Sequence, residues 1–273
     1  MSVLNKEFSL TEQDFSFLSE FIHQRTGIVI NDNKKDLLYS RLAKRLRQLN
    51  ITSFSKYCDL LQASDAADEV EHLINSITTN LTHFFREKHH FDHLAELLPS
   101  LVSRGEQKIR IWSSACSSGQ EPYSIAMVVV DKVKNWAELD IKILATDIDT
   151  MMLDKCKKGL YTDDEVKNLP SGYLEKFFSQ VNDKTFQVHE QLKKLIQFNH
   201  LNLLESWPLK GKFHIIFCRN VAIYFDKDTQ KMMFSKMADV MVEGGYLYIG
   251  HSENLNQLSD QYTLIGKTLY QKI

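Results

Sequence analysis

Apolar positions recur every three to four residues through the first quarter of the chain. Phe15, Leu18 and Ile22 keep helical spacing behind a Thr11–Asp14 pair that has the form of a capping box, and Gly27 supplies a stop. Leu38, Leu42, Leu46 and Leu49 form the apolar stripe of a second helix over about 34–49. Residues 53–63 and 66–77 read as two shorter helices, completing a small helical bundle. From 78 to 90 the pattern breaks: Asn80, Thr82 and Arg86 are set among Leu81, Phe84 and Phe85, which suits a linker draped over a pocket. A helix over 91–102 follows, carrying Leu94, Leu97, Leu98 and Leu101 and stopped by Gly105.

Beyond residue 108 short apolar runs alternate with helical stretches. Ile111–Trp112 opens a strand that breaks into small residues, Ser113 to Gly119, and regular structure resumes at Glu121-Pro122, where proline is suited to the first helical turn. Alone, this stretch is as compatible with an ordinary βα turn as with one that a ligand approaches. Free N–H groups at such a helix start favour a negative group. A second strand, 141–149, ends in Asp147, and an acidic residue at that point commonly receives the hydroxyls of a ribose; Asp149 has the alternative role of N-cap to the next helix. Residues 159–195 interrupt the rhythm with short helical turns, and TFQVHEQLKKLIQF then alternates like a strand, which predicts an inserted subdomain with its own hairpin. A third core strand over about 195–200 leads to Asn202, and FHIIFC, 213–218, is an unbroken buried run ending at Arg219-Asn220. A helix over 227–242, a turn at Gly244-Gly245, the strand YLYIG and two closing strand segments complete the pattern.

Strands alternating with helices imply a mostly parallel sheet with its ligand at the carboxyl ends of the strands. Ser113–Glu121, Asp147, Asn202 and Arg219-Asn220 all fall at such ends, an arrangement suited to a nucleoside-type ligand. The final hairpin after the fifth strand favours the S-adenosylmethionine-dependent methyltransferase variant over a nicotinamide-binding one, for which the glycine fingerprint is missing.

Composition adds exclusions. With 43% hydrophobic residues, 25% charged residues and a net charge of −2, the 273-residue chain has the make-up of an ordinary soluble protein with room for two domains, and no global field draws it to nucleic acid. No apolar run is long enough for a membrane span and the N-terminus has no signal-peptide core, so a cytoplasmic location is expected. Cys58, Cys116, Cys156 and Cys218 are widely spaced, as in reduced proteins. His83, His89 and His90 cluster in sequence, but no nearby carboxylate or cysteine completes a convincing ligand set, so no metal is expected. Locally the charge is uneven: between Arg25 and Lys56 eight basic residues face only Asp32 and Asp36. That stretch is either a solvated helix face or a docking surface for an acidic partner, with Arg41, Lys44 and Arg45 the candidate substrate-binding residues.

TTNLTHFFRE (78–87), SSGQEPYSIAM (117–127), ATDID (145–149), LNLL (201–204), FCRNVAIYFD (217–226) and GHSEN (250–254) strongly resemble segments of the chemotaxis receptor methyltransferases, the CheR family. With the helical N-terminal part they span nearly the whole chain in the expected order. The resemblance implies an all-α N-terminal domain (1–77), a linker contributing to the cofactor site (78–90) and an α/β, Rossmann-like class I methyltransferase sheet (91–273) with a small inserted subdomain at about 159–195. It implies methyl transfer from S-adenosylmethionine to glutamate side chains of methyl-accepting chemotaxis receptors, leaving S-adenosylhomocysteine, by a monomer that uses neither metal nor nucleic acid. Carried over by motif, the cofactor contacts are Asn80, Thr82, Arg86, Glu121, Asp147, Asn202, Leu203, Arg219 and Asn220, with Arg86 and Tyr224 as the catalytic pair. Gln120 and Ala222 depart from the residues usual at those motif positions. The rival expectations are a methyltransferase of the same fold acting on RNA or a small molecule, and a non-catalytic S-adenosylmethionine-binding signalling module.

Overall fold

The computed structural model describes residues 7–273. They divide into two compact units, one running to Thr79 and including Tyr224–Asp226, the other comprising Asn80–Ile223 and Lys227–Ile273.

The first unit is helical: α1 (Glu12–Thr26), α2 (Lys35–Gln48), α3 (Phe54–Leu61) and α4 (Ala67–Ile77). Helix α1 starts on a reciprocal capping box, in which Thr11 Oγ1 accepts from Asp14 N and Asp14 Oδ2 from Thr11 N, both at 3.1 Å. It ends where Gly27 turns left-handed and donates its N–H to His23 O. Leu18, Ile22, Leu42, Leu46, Phe54 and Tyr57 fill the core. Residues 224–226 join this unit through an antiparallel bridge between Ile28 and Phe225 and a 2.7 Å contact from His23 Nε2 to Asp226 Oδ2.

The second unit runs α5 (Lys88–Ser103), β1 (Lys108–Ser113), α6 (Gln120–Lys132), β2 (Asp140–Asp147), α7 (Thr150–Lys158), β3 (Leu160–Thr162), α8 (Asp163–Val166), α9 (Tyr173–Phe177), β4 (Phe178–Asn182), β5 (Thr185–Val188), α10 (Glu190–Lys193), β6 (Ile196–His200), β7 (Phe213–Cys218), α11 (Lys227–Asp239), β8 (Met241–Ile249), β9 (Tyr262–Gly266) and β10 (Leu269–Lys272). Its main sheet has seven strands in the order β6-β2-β1-β7-β8-β10-β9. The strands from β6 to β8 are parallel, and β10 runs antiparallel to both of its neighbours. Successive strands step outward from β1 to β6, then the chain returns to the other side of β1 with β7. The reversal opens a crevice at the carboxyl ends of β1 and β7, where open α/β sheets bind ligands. Ile109, Ile111, Ile143, Ile215 and Phe217 are buried, with Phe217 stacked on Tyr248 at 4.3 Å. The inserted subdomain is the three-stranded sheet β3-β5-β4. Among the described residues no helix is long and apolar enough to cross a membrane.

The pattern reading is corrected at several element ends. Helix α5 begins at Lys88 rather than at 91. The alternation read through TFQVHEQLKKLIQF is split by α10, since HEQLKK closes a helical turn between two strands of different sheets. Gly244-Gly245 is not a turn before the strand but a bulge within β8, which pairs with β7 at Met241 and again from Tyr246. A Cβ on Gly245 would lie 2.9 Å from Val242 O, so the bulge needs a residue without one.

Candidate functional site

The sequence-predicted positions of the second unit gather at the carboxyl end of its sheet in three groups. At the end of β2, Asp147 is buried with both oxygens engaged by backbone: Oδ2 accepts from Ser117 N at 2.7 Å and Oδ1 from Asp149 N at 2.9 Å. Burial nevertheless pushes its carboxyl up to about 6, against the pull of those N–H groups. Asp149 caps α7 by accepting from Met152 N and also receives Asn80 Nδ2 at 2.8 Å. Ser117 Oγ donates to Asn80 O, which ties the linker to the β1–α6 turn. That turn is tight because Gly119 is left-handed, and a Cβ there would lie 2.7 Å from the Tyr161 hydroxyl.

The second group lies between β1 and β7. Glu121, in the first turn of α6, accepts from Ser113 Oγ at 2.7 Å and from Arg219 Nη1 at 2.8 Å. Burial raises the Glu121 carboxyl while Arg219 and Ser113 oppose the shift. The Arg219 guanidinium is itself buried; its Nη2 donates to Arg86 O and lies 3.6 Å from Glu87 Oε2. Arg86 points its own Nη1 at Leu81 O, closing the 81–86 loop. Asn220 Nδ2 reaches Glu87 Oε1 at 3.4 Å, and His251 contacts the same oxygen through Nδ1 at 3.1 Å. Burial works against a charge on Glu87, yet Arg219 and His251 bring its carboxyl down to about 2.

In the third group, after β6, Leu201 N donates to Asp147 O, Asn202 Oδ1 accepts from Leu204 N, and Leu203 is buried. Thr82 is half-buried in the linker. Tyr224 belongs to the helical unit, with Lys34 Nζ 5.7 Å from its ring centroid. The three basic candidates of α2 lie in that unit too, and the structure separates them. Arg45 binds Glu69 through Nε and Nη2, and Glu69 also accepts from the buried Tyr57 hydroxyl. Arg41 donates to the carbonyls of Ile77 and Thr78, whereas Lys44 is exposed.

Pattern reading gave Glu87 no role of its own and took Ser113 and Ser117 only as parts of the β1–α6 turn. Glu87 is the carboxylate judged missing beside the histidines: Glu87, His89 and His90 bring one ligand atom each within 4.8 Å of one another. Its countercharge in this fold is Arg219, and burial pushes His90 down to about 3. The left-handed backbone of Glu87 and Ser117, φ 57° and 48°, is invisible in a sequence; only the place of both residues in quoted motifs marks them. Leu81 in the linker (77%), Met151 in α7 (61%) and Ile223 after β7 (46%) are exposed large apolar side chains.

Family models match both parts of the chain: "CheR methyltransferase, all-alpha domain" over residues 13–78 and "CheR methyltransferase, SAM binding domain" over 80–271. Among similar curated proteins, a "Probable chemotaxis protein methyltransferase" of Rhizobium etli is 43% identical, covering 92% of this chain and 96% of its own length. The "Chemotaxis protein methyltransferase" of Escherichia coli is 40% identical, covering 98% and 93%.

Proposed function

Since this chain belongs to the CheR methyltransferase family, we propose that it transfers a methyl group from S-adenosylmethionine to glutamate side chains of methyl-accepting chemotaxis receptors. The observation that carries this reading is the buried Asp147 at the end of β2, beside the Glu121–Arg219 pair at the strand-order reversal. The residues present fit the cofactor. Asp147, with a carboxyl pushed up to about 6 by burial, holds one backbone N–H on each oxygen and keeps lone pairs that two ribose hydroxyls would fill. Glu121 and Arg219 offer charge of both signs, and Asn220 a neutral amide, for an amino-acid moiety. Asn80, Thr82, Arg86, Asn202 and Leu203 complete the proposed contacts.

S-adenosylmethionine supplies an electrophilic methyl on a sulfonium centre. A substrate glutamate, with an ordinary pKa of about 4.3, is already ionised at neutral pH. No side chain of the enzyme need remove a proton. The protein's task is then alignment and exclusion of water. Arg86 is proposed to hold the carboxylate, and Tyr224 to orient the reacting groups. His251, exposed and hydrogen bonded to Glu87, serves the arrangement of that carboxylate rather than acting as a base. Of the three basic candidates on α2, Lys44 is the exposed one, and it is proposed to meet an acidic receptor surface.

Incubating the protein with methyl-labelled S-adenosylmethionine and receptor cytoplasmic fragments tests the reading. Base-labile label on receptor glutamates is expected. Label in RNA instead, or cofactor binding without transfer, would reject it.

A further inference from the structure

Glu253 sits in the turn after β8, buried, and receives five backbone N–H groups. Oε2 accepts from Asn220 N at 3.0 Å and Gly250 N at 2.5 Å; Oε1 accepts from Val221 N at 2.9 Å, Ala222 N at 2.8 Å and Ile223 N at 3.4 Å. Its charge is met by peptide dipoles in a concave nest of N–H groups. Four of those donors belong to consecutive residues of the turn leaving β7, so a single carboxylate fixes the path of 220–223. The path is an unfavourable one, because Asn220 adopts a left-handed backbone at φ 57°. Such conformations persist when surrounding structure over-determines them. Gly250 makes room for the turn: a Cβ there would lie 2.8 Å from Asn220 N and would collide with Asn220 Nδ2. With its backbone held by Glu253 and its amide resting on Gly250, Asn220 directs Nδ2 toward Glu87 Oε1 at the mouth of the crevice.

We infer that Glu253 is a positioning residue of the cofactor site, acting through the backbone of 220–223 to set the Asn220 side chain, with Gly250 as its necessary neighbour. This rests on the cofactor reading proposed above, for it takes Asn220 to be a cofactor contact. Glu253 itself accepts only from backbone and has no part in the reacting groups. A glutamine of the same shape would present an NH2 to some of these N–H donors, so Glu253→Gln breaks the cage with little change in volume.

The test uses the full-length protein and three variants, E253Q, E253D and G250A. Hydrogen exchange of the 220–223 amides is measured without ligand, and S-adenosylhomocysteine affinity by calorimetry. In E253Q the 220–223 amides should exchange about tenfold faster, those of β1 and β2 should not change, and the Kd should rise about tenfold. The KM for S-adenosylmethionine should rise more than kcat falls, receptor KM should stay constant, and E253D should recover part of the loss. G250A should reproduce the affinity loss with the carboxylate intact, and it decides the matter if E253Q does not fold. Unchanged exchange at 220–223, or faster exchange with unchanged affinity, overturns the inference. Failure of the wild-type protein to bind S-adenosylhomocysteine removes the cofactor reading and this inference together, an outcome distinct from a failure confined to the variants.

Discussion

Asp147 carries its charge in surroundings that disfavour it. Its folded carboxyl titrates at about 6 against 3.8 for the free side chain, so its protonated form is the one folding favours. For a folded pKa raised above the unfolded one, the associated stability is present below about pH 4 and is lost as pH rises through about 6. At about 1.4 kcal/mol per pH unit, the ionised group leaves the ligand-free protein less stable at neutral pH by about 3 kcal/mol. Asp147→Asn removes that charge but must turn an NH2 toward Ser117 N or Asp149 N. It should abolish the dependence of the ligand-free thermal midpoint on pH between about 4 and 6 and weaken S-adenosylhomocysteine by about 1.5–3 kcal/mol, the loss of charge-assisted hydrogen bonds. For the wild type, affinity should fall as pH drops through about 6. Calorimetry across pH 5–8 on both proteins checks this, and an affinity indifferent to pH and to the substitution would take Asp147 out of the site. Catalysis gives a second residue-scale expectation. With saturating cofactor, single-turnover transfer should show no ascending limb near pH 6.5 that His251→Ala abolishes, because a pre-ionised nucleophile needs no histidine base. Such a limb, lost in the mutant, would mean that proton abstraction matters.

At the scale of the element, α2 shows how neighbours redistribute a charge count. The eight basic residues between Arg25 and Lys56 look equivalent in the sequence, yet α4 brings Glu69 against Arg45, and the end of α4 offers carbonyls to Arg41. Removing one partner of a largely buried ion pair leaves the other uncompensated, so Arg45→Glu should destabilise the helical unit by about 3 kcal/mol in chemical denaturation. Lys44→Glu, by contrast, should leave stability and cofactor affinity alone and raise the receptor KM. Added salt should act on the unmutated enzyme in the same direction, since exposed charges are screened within about 8–10 Å. A receptor KM unmoved by both would make this face merely solvated. The β1–α6 turn is the second such element. Gly119→Ala must fit a methyl against the Tyr161 hydroxyl and Cys156 at a left-handed backbone of φ 95°. It should shift Ser117 away from Asp147 and weaken S-adenosylhomocysteine at least about tenfold, and wild-type affinity in a folded variant would show the turn to be no part of the pocket.

For the whole molecule, two separate cores imply separable tasks. The helical core and the sheet core share no buried residue, and every proposed cofactor contact lies in the second unit. A fragment of residues 80–273 should bind S-adenosylhomocysteine with near wild-type affinity yet fail to methylate receptor, as calorimetry and label transfer would show; loss of binding in a folded fragment would tie the pocket to the helices. The order of elements and the family were legible in the chain, because buried strands such as FHIIFC and motifs such as EPYSIAM and GHSEN are local signals. The place of Asp147 at the end of β2 was legible too, since it closes an apolar run. The capping box and left-handed glycine that bound α1 were legible for the same reason: their chemistry is complete within a few residues. Folding alone decided what each charge faces. Glu87 meets Asn220 from 133 positions away, Glu253 gathers donors from about 30 positions upstream, and Arg45 is neutralised by a different helix. These pairings depend on where β7 lies beside β1 and on left-handed backbone at Glu87 and Asn220. Sequence patterns carry periodicity and residue type along the chain, but a buried charge takes its role from whatever the tertiary fold packs against it.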